Sequence, residues 1–167
     1  ITMIISSVEL QRKLKKIIHF KVGTLELGFM PIYFRRVVSD TLASSVMNKE
    51  YPKTVTNISI KDFSTNNNMG KIPFLVFDDL GKLVGLVSKH EIEKAHKKTR
   101  DLITISDVMY KKFHTAQPDD YLYSVIQKMN LHPFDMIPIT DPNDNGKIVG
   151  IVTNNGIMEL LEDTKTK

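Results

Sequence analysis

The residue types that usually carry chemistry are sparse and scattered in this chain of 167 residues. It has no cysteine, so disulfides, thiolate catalysis and cysteine-based zinc sites are excluded. No two of its five histidines have the H-x-x-x-H spacing that would place both imidazoles on one helix face, so we predict no metal site. The phosphate-loop, dinucleotide and nucleophile-elbow motifs are also missing. The sequence therefore gives no support to the common enzyme classes.

Paired carboxylates occur at residues 78–79 and 119–120. Both pairs fall where the pattern predicts a turn or a helix cap, so we assign them no acid–base role and predict no catalytic residue. The longest apolar run, residues 72–77, has six members, whereas a membrane span needs about 20. No segment of the sequence is predicted to cross a bilayer.

Positive charge is concentrated at the start of the chain. Residues 1–36 carry seven Lys or Arg and two Glu, a net charge of +5, while residues 37–167 carry sixteen against seventeen, a net charge of −1. A nucleic-acid-binding domain usually carries its basic surface on the folded body, so we predict no nucleic-acid partner. A basic leader fits a juxtamembrane segment, a contact with an acidic surface or a solvated helix face.

The leader also has an apolar stripe. Leu10, Leu14 and Ile17 recur with helical spacing, which predicts an amphipathic helix over residues 6–20 that docks on the body or on a neighbouring subunit. Glycine and proline then break the pattern before residue 36. We therefore treat residues 1–36 as a helical appendage.

An internal repeat organises the rest of the chain. Residues 81–88 recur as residues 146–153 at an offset of 65. The offset is smaller upstream, 62 for the Val-Met pair and 61 for an isolated threonine. A growth of about four residues is one helical turn, so we predict that the first copy has a helix one turn shorter. The other matching positions are Val46 with Val108, Met47 with Met109, Thr54 with Thr115, Ile72 with Ile137, and Pro73 with Pro138.

Each copy reads as a short strand, a helix, two strands joined by a glycine-containing turn, and a closing helix. This predicts an α/β fold, a sandwich of two pseudo-symmetric β-α-β-β-α halves. We expect the appendage at residues 1–36, the first repeat at 37–100 and the second at 101–163.

Taken in order, the repeated features resemble a tandem pair of CBS domains, often called a Bateman module. The resemblance covers about residues 40–163. It rests on the Val-Met pairs before each copy, the threonines of the first strands, the Ile-Pro pairs, and the motifs that end the third strands at Ser88 and Thr153. Such pairs are regulatory modules rather than enzymes, and those that bind ligands take adenosine nucleotides such as ATP, ADP or AMP.

The resemblance also implies where a nucleotide would bind. In members that bind, a Ser or Thr ending the third strand contacts phosphate and an acidic residue three positions later holds the ribose hydroxyls. In the first copy these positions are Ser88 and Glu91, whereas in the second Thr153 is followed by Gly156, which lacks a carboxylate. Ser88 and Glu91 are also ordinary helix-capping residues. The full set of expected ligand-binding residues is Thr54, Ile72, Pro73, Phe74, Ser88, Lys89, Glu91, Thr115, Ile137, Pro138 and Thr153.

The functional prediction is a cytoplasmic regulatory domain with an adenine nucleotide as its ligand, no other cofactor and an attached effector. The basic leader suits the cytoplasmic face of a membrane protein with a transport domain upstream, and chloride channels and exchangers of the voltage-gated class carry such pairs. Two alternatives are a structural dimerisation module with empty clefts and a stand-alone nucleotide-binding protein.

A homodimer is also expected. The two last helices of the second copy have apolar residues that one sandwich would leave partly uncovered, and C2 symmetry is the default for such a contact. The residues concerned are Leu122, Val125, Met129, Ile157, Leu160 and Leu161.

Overall fold

The computed structural model describes residues 32–95, 102–131 and 133–163. The helix predicted over residues 6–20, and its docking, lie outside these ranges. No helix in them is long and apolar enough to cross a membrane. Six helices and five strands follow in chain order within the described residues, besides a 3-10 turn at Ala43–Ser45: α1 Ile32–Asp40, β1 Lys53–Val55, α2 Ile60–Asn66, β2 Phe74–Phe77, β3 Leu83–Val87, α3 Lys89–Lys94, α4 Ile105–Val108, α5 Leu122–Met129, β4 Met136–Asp141, β5 Lys147–Thr153 and α6 Asn154–Asp163.

The two copies fold into two similar sheets, which confirms the predicted α/β class. In the first half β1 pairs parallel with β2, and β2 pairs antiparallel with β3. In the second half β4 pairs antiparallel with β5, and Ala116 alone supplies the parallel contact, opposite Ile139. The continuous apolar runs of β2 and β4 are buried because each sheet has helices on one face and the other sheet on its second face.

The strand register corrects two of the sequence matches. Phe74 lies opposite Val87, and Ile137 lies opposite Val152, so Phe74 corresponds to Ile137. Both hairpins have a register shift two residues later, which supports this alignment. The matching of Ile72-Pro73 with Ile137-Pro138 was therefore wrong, because two residue types coincide at positions that are not equivalent.

The first-strand threonines are not equivalent either. Thr54 lies opposite Val76, and Ala116 lies opposite Ile139 at the corresponding place in the second sheet. Thr54 therefore corresponds to Ala116 rather than to Thr115.

The prediction that the first copy's helix is one turn shorter was also wrong. Helix α2 has seven residues and α5 has eight. The offset grows by two between Val76 and Gly85, within the hairpins, whose turns both have five residues while β4 and β5 are each two residues longer than β2 and β3. The sequence offset alone does not distinguish an insertion in a hairpin from an insertion in a helix.

The segment that precedes each copy packs on the other copy's half. Helix α1 precedes the first copy, yet Phe34 and Val38 are buried in the core of the second half with Val125 of α5. Ala43 N donates to Asp120 O at 2.8 Å. The symmetric contact is made by Ile105 of α4, which precedes the second copy and is buried in the core of the first half. The packing of these segments therefore does not follow the boundaries expected for the two repeats. The boundaries themselves stay a prediction.

The packing of α1 on the second half covers the apolar helix faces through which the homodimer was expected to form. Leu122, Val125, Met129, Ile157 and Leu161 are all buried within the single chain, each no more than 5% exposed. Helix α1 supplies part of that cover. Sequence analysis had instead divided the residues of α1 between the appendage and the first copy. Leu160, the sixth of these residues, is half-buried, so the dimer prediction loses most of the surface on which it was based and stays a prediction.

The exchanged segments approach the third strands at repeated glycines. Asn48 N donates to Ile151 O at 2.8 Å and Ile151 N donates to Asn48 O at 2.9 Å, beside Gly150. A Cβ at Gly150 would lie 2.8 Å from Asn48 O. At the matching Gly85, a Cβ would lie 2.6 Å from the sulfur of Met109. The glycines are required because they let a neighbouring segment approach the strand.

We expect Gly150→Ala to lower the free energy of unfolding by about 1–3 kcal/mol, the usual cost of overpacking. The clashing carbonyl cannot easily withdraw, because it is hydrogen-bonded to the same strand. Gly70→Ala is the control, since an added Cβ there meets nothing within 4 Å. Urea denaturation of both variants measures the difference, and equal stabilities would contradict the close approach.

An ion pair holds the segment before α5 in place. The backbone of this segment also accepts a hydrogen bond from Ala43 of the 3-10 turn. Lys128 Nζ lies 2.6 Å from Asp120 Oδ2, and Gln117 N donates to the same oxygen at 3.0 Å. Burial raises the pKa of the Asp120 carboxyl, but the hydrogen bonds and the positive charge of Lys128 outweigh burial, so the pKa lies below its ordinary value.

A carboxyl with a lowered pKa in the folded state stabilises the fold above its unfolded pKa of about 3.9, and this contribution is lost as the pH falls through the folded pKa. We expect Asp120→Asn to be less stable than the unaltered chain by about 1 kcal/mol at pH 7. The difference should vanish on acidification to about pH 2. Denaturation at a series of pH values measures both, and a constant difference would show that the ion pair contributes nothing.

Candidate functional site

The turn between β3 and α3 is closed by a reciprocal cap. Ser88 is the N-cap residue, and its hydroxyl accepts from His90 N at 3.3 Å. Glu91 Oε2 accepts from Ser88 N at 2.8 Å and also from the Ser88 hydroxyl. This is a capping box, which satisfies two groups at the helix start. The amide and the hydroxyl of Ser88 both donate to Oε2 of Glu91. Oε1 is therefore the Glu91 oxygen that can accept a hydrogen bond from a ligand.

A cavity of about 350 Å³ lies beside Glu91. One wall is α3 of the first copy, with Lys94 and Ala95, and the other wall is the segment that leads into the second copy, with Met109 and Tyr110. Tyr110 N and Leu86 O are 2.7 Å apart, which holds this second wall against β3. The cavity is thus formed by both copies and holds one carboxylate and one ammonium group.

The equivalent place in the second copy is polar but lacks the carboxylate. Thr153 Oγ1 accepts from Gly156 N at 3.1 Å, so Thr153 caps α6 as Ser88 caps α3. Gly156 has no positive φ, and an added Cβ would lie 3.4 Å from both Thr153 Oγ1 and Val46 O. A side chain can therefore be introduced there.

Thr54 lies in a different and larger cavity. It is only 9% exposed and lines an open cleft of about 830 Å³ between the halves. The first half contributes Tyr51 and Phe77 to this cleft, and the second contributes Lys147 and Ile148. Thr54 and Glu91 therefore line two different cavities.

The other expected binding residues are dispersed. Phe74 and Ile137 are core residues, Phe74 with its ring 5.0 Å from that of Phe63, so only their backbone could face a ligand. Lys89 is exposed and forms an ion pair with Glu93 at 3.6 Å. Among the others, Pro73 and Pro138 are buried, Thr115 is half-buried and Ile72 is 40% exposed.

Sequence reasoning missed the residues of the second wall and the charged residues of the large cleft. The Val-Met pair before each copy was noticed as a repeat, but nothing in the sequence indicated that Met109 packs beside Glu91. Asp79 was noted only as one of a carboxylate pair and Lys147 only as part of the repeat, whereas Lys53 belongs to no motif. A search for charged residues flanking the strands of both copies would have found them.

Comparison with known proteins identifies the family. The model of the CBS domain matches residues 105–163. The solved CBS domain pair of protein MJ0100, in complex with 5′-methylthioadenosine and S-adenosyl-L-methionine, is 30% identical, with a TM-score of 0.57. That alignment covers 72% of this chain and 99% of the solved one. The chain therefore belongs to the CBS domain family, and its fold is that of a CBS domain pair.

Two curated relatives are much longer than this chain. L-aspartate semialdehyde sulfurtransferase of Methanocaldococcus jannaschii is 30% identical over 128 residues, which are 75% of this chain and 24% of the relative. The magnesium transporter MgtE of Thermus thermophilus is 28% identical over 92 residues, 55% of this chain and 19% of the relative. The chain thus spans about a quarter or less of each relative, one named as an enzyme and the other as a transporter.

Proposed function

We propose that this domain is a regulatory module that binds an adenosine derivative in the cavity beside Glu91 and transmits its occupancy to an attached effector. The observation that carries the proposal is the position of the Glu91 carboxylate. It lies at the wall of a cavity on the first half, where Val108 and Met109 of the second copy pack, so a ligand held there contacts residues of both copies at once.

The chemistry of the cavity suits a nucleoside. The carboxylate can accept from a ribose hydroxyl through the oxygen that the cap leaves available. Val108, Met109 and Tyr110 offer apolar surface for a base, and Lys94 offers a positive charge for a phosphate or carboxylate. A volume of about 350 Å³ falls at the small end of ligand pockets, which favours a nucleoside or monophosphate over a triphosphate.

The solved relative supports an adenosine ligand, because its structure is a complex with 5′-methylthioadenosine and S-adenosyl-L-methionine. Whether this chain takes such a compound or ATP, ADP or AMP is the first thing to measure. The effector remains a proposal: the two curated relatives bear the names of an enzyme and a transporter, and the attachment to a chloride channel at the cytoplasmic face of a membrane stays a prediction.

We expect Glu91→Ala to weaken binding of the adenosine compound by 10- to 150-fold, which corresponds to losing about 1.5–3 kcal/mol from hydrogen bonds to a charged group. Calorimetric titration with 5′-methylthioadenosine, S-adenosylmethionine, AMP, ADP and ATP measures the effect. Binding of all five compounds with unchanged affinity in the variant would place the site elsewhere.

Asp62→Ala is the matched control. Ser59 and Asp62 form a similar cap at the start of α2, with Ser59 Oγ 2.8 Å from Asp62 Oδ2. Both variants should therefore lose about 1 kcal/mol of stability through the cap. Only Glu91→Ala should lose affinity. If Asp62→Ala weakens binding equally, the loss reflects destabilisation rather than a ligand contact.

The second copy gives the opposite test. Gly156→Asp introduces a carboxylate at the position equivalent to Glu91, and we expect it to raise the fitted number of AMP sites by one over the unaltered chain. Gly156→Ala fills the same space without a charge and should leave the titration unchanged. An unaltered stoichiometry in the folded Asp variant would show that the carboxylate does not define the site.

A further inference from the structure

The large cleft has a chemistry that the proposed adenosine site does not use. It contains neither Ser88 nor Glu91, and it lies where β1 and the turn after β2 face the start of β5. Its floor is apolar and spans both halves: Tyr51, Phe77 and Ile148 line it, and the Tyr51 hydroxyl donates to Ile148 O at 3.4 Å. About 830 Å³ is ample for a small organic ligand.

The charges around this floor are balanced. Two lysines, Lys53 and Lys147, and two aspartates, Asp78 and Asp79, line the cleft, so their formal charges sum to zero. Asp78 Oδ1 accepts from Leu80 N at 3.0 Å and from Lys82 N at 2.9 Å, so Asp78 holds the turn in place. Its neighbour Asp79 is exposed and forms no such bond.

The lysine of the second half is available to a ligand. Lys147 Nζ lies 3.5 Å from Asp144 Oδ2, but the two side chains are 69% and 60% exposed. Ion pairs this exposed contribute little, so a ligand carboxylate can replace the partner at small cost. Lys53 is exposed on the edge strand β1 of the first half. A single anionic group can thus be attracted by a cation from each half.

We propose that this cleft is a second ligand site, and that it binds a molecule carrying an α-amino acid group on an apolar body. The carboxylate is attracted by Lys53 and Lys147, the ammonium group by Asp79, and the apolar body lies on Tyr51, Phe77 and Ile148. A zwitterion leaves the balanced charge of the cleft undisturbed, whereas a triphosphate would bring about four negative charges beside two aspartates.

The same chemistry has two sources, a free amino acid and an adenosine compound that carries one. Titration of the full chain with L-methionine, 4-methylthiobutyrate and 3-methylthiopropylamine tests the zwitterion, since the second compound lacks only the ammonium group and the third lacks only the carboxylate. S-adenosylhomocysteine tests the second source, with 5′-methylthioadenosine as its counterpart without the amino acid group; both are thioethers with no charge on sulfur.

We expect one of the two amino-acid-bearing probes to bind at least about ten-fold more tightly than its counterparts, the factor for losing one charged hydrogen bond. Asp79→Asn and Lys147→Gln should each remove most of that preference, while Lys112→Gln, an exposed lysine outside the cleft, should not. Glu91→Ala should leave this preference unchanged.

Three results would overturn the proposal: no binding of either probe at tens of millimolar, equal affinity for the counterparts, or a preference that survives Asp79→Asn and Lys147→Gln. The adenosine proposal fails separately, through Glu91→Ala. Binding of methionine that depends on Asp79 would support the cleft even if no adenosine compound bound.

Discussion

The architecture depends on the contact between each leading segment and the third strand of the opposite half. Asn48 pairs with Ile151, and Tyr110 pairs with Leu86, in both cases beside a strand glycine. These pairings satisfy backbone groups that would otherwise be buried without partners at the strand edge. They also bind the two halves together, so neither sheet is completed by its own copy alone.

The position of the candidate sites follows from this contact. Because Tyr110 is held on β3, the residues before it form a wall opposite Glu91, and a cavity remains between them. The segment after Asn48 then passes between the halves, where Tyr51 and Lys53 line the larger cleft. Both cavities therefore lie where the chain passes from one half to the other, and a ligand in either contacts both copies. Because a ligand shifts an equilibrium only through different contacts in its two states, a site lined by both copies suits the regulatory role that we propose.

Much of the fold could be predicted from the sequence, because the repeat made most elements appear twice. The hairpin at Gly146, the cap at Ser88 and the buried strands were readable from turn chemistry and apolar runs. The strand register was not predictable, because both copies contain an Ile-Pro pair by coincidence. The hydrogen bonds between the strands show that these two pairs are not equivalent positions. The site was only half predictable for a related reason: Glu91 belongs to a local motif, whereas the contact with Met109 joins residues distant in sequence and leaves no local signal.

The path of the chain has a consequence for its synthesis. Helix α1 is synthesised long before Val125 and Leu161, with which it shares a core. The first half must likewise wait for Ile105 of the second copy before its core is filled. Neither half can finish folding on the ribosome until most of the chain has been translated, so the two copies are expected to fold as one cooperative unit, slowly for their size, because many of the stabilising contacts are distant in sequence.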